Sequence, residues 1–421
     1  MTTQSKKHHY VPQALLRHFS IDGAGRQIFV FDKERNRVFR SSISDAGSEN
    51  HFNTVEIGGE RINYEALFQD VDDRSAAIVQ SVVETEALTG IGPAERIAIA
   101  DLFTVQMIRT RIHRSTPAFL ARALHESFRE MGFDSDLDTL PALPTDTSAR
   151  LGTIAGFLRR EGQRNLLLAK NLLLYRADGE ARFITSDHPV TLANPFPYGD
   201  ATLAAQGVQV HLPIAPHLML AFQCPTISAR LARIEEMDLD DGYRRRALAM
   251  HNALQTGSPA PMEADSISAM NALQVSASSS RLFAATDTFD AARALIDRRP
   301  SLRKVESHVT IGKVGHGPSP RRAMPPGKYL VVHGHADHCM IPIVAADPNG
   351  EGITLATFDV DLLSKVAKDS MLEFVELYDD GSPMHMMREV VVELIGSDTP
   401  QWFRVVHHDP AMRKLDVIIN T

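Results

Sequence analysis

The chain has 421 residues, 43% of them apolar and 23% charged, and a formal net charge of -8. That length can bury two or three separate cores, and the composition is that of an ordinary globular protein. The acidic balance excludes a surface coated in basic residues for gripping nucleic acid, while leaving room for a local basic pocket.

Two cysteines, Cys224 and Cys339, stand far apart in apolar surroundings, which points to a reducing compartment and away from a disulfide framework. The start of the chain is polar and lacks the apolar run of a secretory signal. No stretch approaches the roughly 20 apolar residues needed to span a bilayer, so the cytoplasm is the expected location and no membrane partner is expected.

In chain order, Lys6-Lys7-His8-His9-Tyr10-Val11-Pro12 comes first, and Leu15, Leu16 and Phe19 then fall at helical spacing. Proline favours the first position of a helix. The two imidazoles are therefore expected just ahead of a helix N-terminus, where anions are welcome. Alternation of Ile28, Val30, Val38 and Phe39 around residues 32–36 predicts a hairpin. Residues 41–50 read as a polar loop before a short strand near Phe52 and Val55.

Helical periodicity covers 62–88, then 93–114, then about 118–131, and after a polar loop over 132–148 a further helix spans 149–162. Strands are expected over 165–177 and 182–185, with two more inside 206–224. Helical patterning returns at 226–254 and 266–271, and 277–292 reads as a short strand and a helix.

Composition shifts at Arg298-Arg299-Pro300, which suggests a 1–298 domain and a 299–421 domain. The latter begins with a strand over 309–314 and a loop over 315–327. Further strands fall at 329–332, 340–345, 353–358, 390–394, 403–406 and 415–419, with one prominent helix over 361–378. The expected class is α+β: helices packed on a mixed or antiparallel sheet, then a smaller strand-rich α/β domain.

Several polar residues stand where the local pattern asks for apolar ones. His8 and His9 suit either proton transfer or metal ligation. Glu65 opens an otherwise apolar helix. On the long buried helix, Gln106, Arg109, Thr110 and His113 share one face by i, i+3, i+4, i+7 spacing. A buried Arg109 needs a carboxylate or a bound anion, and Asp187 or Glu65 is the expected partner. Phe183-Ile184-Thr185-Ser186-Asp187-His188-Pro189-Val190 runs a strand straight into polar groups, a common way to deliver side chains to a site. Ser186 lacks the Gly-x-Ser-x-Gly elbow of a nucleophile.

The opening His-His-Tyr-Val-Pro-Gln string with its following Leu-Arg-x-Phe resembles the start of an uncharacterised bacterial family, the domain-of-unknown-function 4238 family. The resemblance covers about residues 6–292. It implies that Glu65 matches a family glutamate, and that Gln106, Arg109 and Thr110 match a Gln-x-x-Arg-Thr element. Ile184 to Val190 match an Ile-Thr-Ser-Asp-x-Pro-Val strand end, with His188 at a position often Asn. Pro213-Ile214-Ala215-Pro216 match a Pro-hydrophobic-x-Pro element. The family's activity is unknown, so the resemblance marks a site without naming a reaction.

Two function classes follow. One is a hydrolase, with a metal-dependent phosphodiesterase or nuclease as its sharpest form. It would use His8, His9, Glu65, Gln106, Arg109 and Asp187, and a divalent metal would sit on His8, His9 and Asp187. The other is a non-catalytic sensor gripping a small anionic ligand or nucleic acid in the same pocket. The His-His-x-Val-Pro string is similar to the first strand of HNH nucleases, but no helix supplies their Asn and second His. Val331 to His338 fit the His-x-His-x-Asp-His signature of metallo-β-lactamase-like hydrolases. The strand-like sequel from Cys339 and the short remaining chain favour a His-rich hairpin turn instead.

Overall fold

The computed structural model describes residues 6–130, 140, 142–194, 202–204, 207–232 and 241–307, together with the backbone of strands between residues 328 and 419. The fold is α+β. The chain divides into two compact units, 1–193 with 202–314, and 194–201 with 315–421.

The first unit opens with β1 (Lys7–His9), then α1 (Gln13–Arg17), which begins right after Pro12. The hairpin is β2 (Gln27–Asp32) and β3 (Arg37–Ser42). Next come β4 (Ser48–Asn50), β5 (Thr54–Ile57) and β6 (Glu60–Asn63), then helices α2 (Ala66–Thr85), α3 (Pro93–Ile108), α4 (Arg111–Glu130), α5 (Asp146–Leu158) and α6 (Glu161–Leu168). Strands β7 (Asn171–Ala177), β8 (Thr185–Ser186), β9 (Thr191–Ala193), β10 (Gln209–Ala215) and β11 (Leu218–Gln223) follow. The unit then runs through α7 (Pro225–Leu231), α8 (Asp241–Thr256), β12 (Ala260–Met262), α9 (Ala264–Ala277), β13 (Arg281–Ala284) and α10 (Asp290–Arg298).

A five-stranded sheet has the order β12-β7-β11-β10-β9, antiparallel except for the β12–β7 pair. A four-stranded sheet has the order β3-β2-β13-β8. On one face of the larger sheet Leu174, Leu212, Leu220 and Phe222 pack with Val79, Ile99 and Phe103 of α2 and α3 and with Tyr10, Leu15 and Phe19. On the other, Leu173, Tyr175, Met219 and Ala221 pack with Ala253 and Ile267 of α8 and α9. Burial on both faces explains why Leu218 to Phe222 of β11 read as an unbroken apolar run. Among the described residues no helix is long and apolar enough to cross a membrane.

The structure corrects several expected elements. Ser48–Asn50 is strand, not loop, because it pairs with Lys7–His9 in the register His8↔Glu49. The imidazoles thus sit on a strand whose last residue, His9, is four residues ahead of a helix of five residues. Residues 60–63 form a strand, so α2 starts later than its apolar period suggested. The 93–114 helix breaks at Arg109, whose φ of -88° and ψ of 10° leave helical geometry, and α4 starts at Arg111. Residues 165–168 close α6, and the strand begins at Asn171. Residues 131–139 and 141 of the expected 132–148 loop lie outside the described residues, and the rest leads into α5.

The second unit contains β14 (Lys328–His333), β15 (His338–Ala346), β16 (Gly352–Leu355), β17 (Phe374–Asp379), β18 (Ser382–Met387), β19 (Val390–Ile395), β20 (Trp402–His407) and β21 (Asp416–Ile419). They make an eight-stranded sheet in the order β18-β17-β14-β15-β16-β21-β20-β19, with β16–β21 the parallel pair. β14 and β15 form the expected hairpin, pairing His333↔His338. The end of the expected 361–378 helix is instead strand β17, where Phe374-Val375-Glu376-Leu377-Tyr378 has β-favouring residues. The rest of that segment, the 315–327 loop and the 334–337 turn lie outside the described residues.

Candidate active site

Strand β1 places His8 and His9 on opposite sides of its pleat, the first buried and the second half-buried. Its path is fixed by Gly47, whose carbonyl accepts from the N–H groups of Tyr10 (2.9 Å) and Val11 (3.2 Å). Gly47 has φ +62°, and a Cβ there would lie 3.0 Å from the Val11 Cβ, so only glycine fits without displacement.

The Nδ1 of His8 accepts the Asn53 backbone N–H at 2.8 Å. An accepting Nδ1 places the proton of a neutral ring on Nε2. The Glu65 carboxylate lies 3.9 Å from the same nitrogen. Glu65 also accepts the His9 backbone N–H at 3.2 Å and the Asn53 side-chain N–H. His8, His9 and Glu65 therefore meet around Asn53. The Nε2–H of His9 donates to the Ser44 carbonyl at 3.2 Å, which leaves Nδ1 as the acceptor. Burial pushes the His9 imidazolium below its usual range, against the opposing pull of the Ser44 carbonyl and Glu65.

Two arginines hold this turn from outside. Arg114 donates to Phe52 O (2.8 Å), Tyr64 Oη (3.1 Å) and Asn53 Oδ1 (3.5 Å), and its guanidinium stacks 3.6 Å over the Phe52 ring. Its buried Nε–H has no acceptor. Arg150 Nη1 donates to the carbonyls of His51, Phe52 and Thr54. Between them His51 is held at φ +55°, its ring centroid 6.3 Å from that of His8.

Arg109 is 1% exposed. Its partner is neither Asp187 nor Glu65. Asp72 of α2 takes it in a bidentate pair, both N–O distances 2.8 Å. The Gln106 side-chain oxygen, in the amide orientation that satisfies both residues, accepts from the same guanidinium. The guanidinium also lies 5.5 Å over the Phe68 ring. Phe68 and Asp72 lie at i, i+4 spacing on α2 and so reach Arg109 from the same side of that helix. Arg109 remains within electrostatic reach of His9.

The break after α3 sends three consecutive side chains to three partners. Arg109 goes to Asp72, Thr110 Oγ1 pairs with His188 Nδ1 at 2.8 Å, and Arg111 reaches Glu49 at 2.8 Å while lying 5.3 Å over the Tyr10 ring. His113, expected on the same helical face, lies beyond the break and is partly buried on α4.

Asp187 does not join the His8–Glu65 group. Its carboxylate accepts the backbone N–H groups of Ser279 (2.7 Å), Ser280 (2.9 Å) and Arg281 (3.0 Å), clasping the start of β13. Burial raises its carboxyl above the usual range, opposed by these donors and by the charges of Lys33 and Arg111. Tyr10 stands in the same electrostatic neighbourhood. Its hydroxyl is buried without a hydrogen-bond partner and pushed up to about 12. Ser186 Oγ donates to Gln274 Oε1 at 2.7 Å and is not poised as a nucleophile.

Among the described residues no three His, Cys, Asp or Glu side chains are grouped to hold a metal, so His8, His9 and Asp187 do not form the expected ligand set. Asn53, Asp72, Arg114 and Arg150 were not singled out in the sequence. Only Asp72 carried a pattern; the others act through turns whose closure pattern periodicity does not encode.

Residues 7–288 match the family described as Protein of unknown function (DUF4238), and the chain belongs to that family. No curated protein and no solved structure matches.

Proposed function

We propose that this DUF4238 protein is a hydrolase acting on an anionic substrate, with His9 as the proton acceptor for an attacking water. The observation that carries the reading is the state of the His9 ring. Its Nε2–H is committed to the Ser44 carbonyl, so Nδ1 holds the lone pair. Burial favours the neutral ring near pH 7, the form that can take a proton. Glu65, on the same backbone N–H, offsets the charge of the imidazolium that forms.

Arg114 is linked to this group through Asn53. Its hydrogen-bond partners are neutral acceptors, and its unpaired Nε–H is a donor suited to an oxyanion. In the reaction, water attacks the electrophilic centre and its proton passes to His9 Nδ1. The leaving oxygen then takes that proton back as its bond to the centre breaks.

A second reading rests on a specific observation: the Asp187, Arg109 and Ser186 side chains are committed to bonds inside the fold. In that reading the same face grips an anion without chemistry. An assay of the purified chain on phosphodiester, phosphomonoester and carboxylic ester substrates separates the two, run with and without divalent metal. The hydrolase reading expects turnover that rises with pH and levels off once His9 is neutral. Saturable anion binding without turnover supports the binding module and removes the hydrolase.

A further inference from the structure

The second face of the five-stranded sheet carries a polar row that its apolar surroundings do not explain. Strand register aligns Asn171, Gln223, Gln209 and Ala193 across β7, β11, β10 and β9. The next row on that face aligns Leu173, Ala221, His211 and Thr191. Gln223 and His211 are thus diagonal neighbours, a spacing of about 7–8 Å that long side chains bridge.

Gln223 is fully buried, and both its carboxamide oxygen and nitrogen lack a hydrogen-bond partner. His211 is 2% exposed, and its Nδ1 also lacks one. Stranding even one such group in a core is strongly unfavourable, and two adjacent side chains here strand three atoms. Asn171, Gln209 and Ala193 of the same row are half-buried, and Asn171 Nδ2 donates to Ser228 Oγ at 2.8 Å.

We propose that Gln223 and His211 form a ligand site for an uncharged, planar molecule whose edge carries a hydrogen-bond donor beside an acceptor. The class follows from the residues. Gln223 offers an acceptor and two donors in one plane, and His211 adds a further nitrogen. Burial keeps His211 neutral, and the two rows contain no acid, lysine or arginine. The matching edge is that of an amide or amidine, carried by nucleobases and by small aromatic carboxamides. The pair lies on the Leu173 and Ala221 face of the sheet, opposite the face that packs Tyr10, and is independent of the role of His9.

The test is thermal unfolding and calorimetric titration of the full chain with adenine, uracil, nicotinamide and benzamide at millimolar concentration. At least one should raise the melting temperature, and the nucleobase and carboxamide arms separate the two sources. Gln223→Leu removes the stranded amide at similar volume. It should melt no lower than the native protein and bind the effective probe about tenfold or more weakly, the scale of one lost hydrogen bond. If that variant does not fold, His211→Phe carries the same expectation. No response of the native protein to any probe overturns the proposal. So does undiminished binding in a folded variant, or a crystal structure grown with the probe in which only water touches Gln223 and His211.

Discussion

Arg109 illustrates how a full charge is tolerated inside this fold. Its two-point pair with Asp72, the Gln106 oxygen and the Phe68 face together saturate the guanidinium. Removing one partner strands the other, so Arg109→Ala should lower stability by about 3 kcal/mol in urea denaturation. Asp72 is 23% exposed, so water softens the penalty toward the low end for buried pairs. Replacing both with apolar residues, Arg109→Met with Asp72→Leu, should recover most of that loss; an additive double loss would contradict the pair. His211 offers a test by pH. Burial holds its pKa at about 4 against 6.5 in the unfolded chain. Between those values the unfolded state binds the extra proton, so stability falls as pH drops through this window, by roughly 3 kcal/mol in all. His211→Phe should flatten that part of the stability–pH curve, and an equally steep curve in the variant would refute the assignment.

At the scale of elements, three segments that also carry the family resemblance are fastened to one another. The β1 segment meets the α3–α4 break through Arg111 over Tyr10, and the break meets the β8 end through Thr110 and His188. Asp187 ties that strand end to β13 through three backbone N–H groups. Asp187→Asn puts an amide NH₂ toward donors and should lower stability by about 1–3 kcal/mol. A melting curve unchanged from the native protein would show that the clasp contributes nothing. The helices and strands with strong periods were legible in the sequence: the β2–β3 hairpin, the α2 and α3 cores, β10 and β11. What escaped depends on partners distant in sequence. Ser48–Asn50 becomes strand because β1 lies beside it. The break at Arg109 occurs in a segment that propensity alone would continue as helix. The buried polarity of Arg109 was legible, but its partner was not, because Asp72 sits on a helix whose register against α3 only the packing decides. Lys33 was hidden for the same reason. It reads as a turn residue, yet it is fully buried and donates to the Val275 and Ser278 carbonyls at the end of α9.

At the scale of the whole molecule, the first unit contains every group placed in the candidate site, while the second is a single eight-stranded sheet in its described strands. The first unit encloses its own apolar clusters, so a fragment ending at residue 314 should fold and unfold cooperatively by itself. A fragment that melts without a transition would tie its stability to the rest of the chain. Hydrolysis here turns on one imidazole, and the decisive measurement is the pH dependence of kcat/KM for the best substrate of the ester panel, in the native protein and in His9→Gln. In the native protein kcat/KM should rise with pH through a midpoint below 6.5, as burial lowers the His9 value, and the variant should lose roughly 10²-fold or more. Equal rates in the two proteins, or no turnover of any substrate by the native chain, would contradict it.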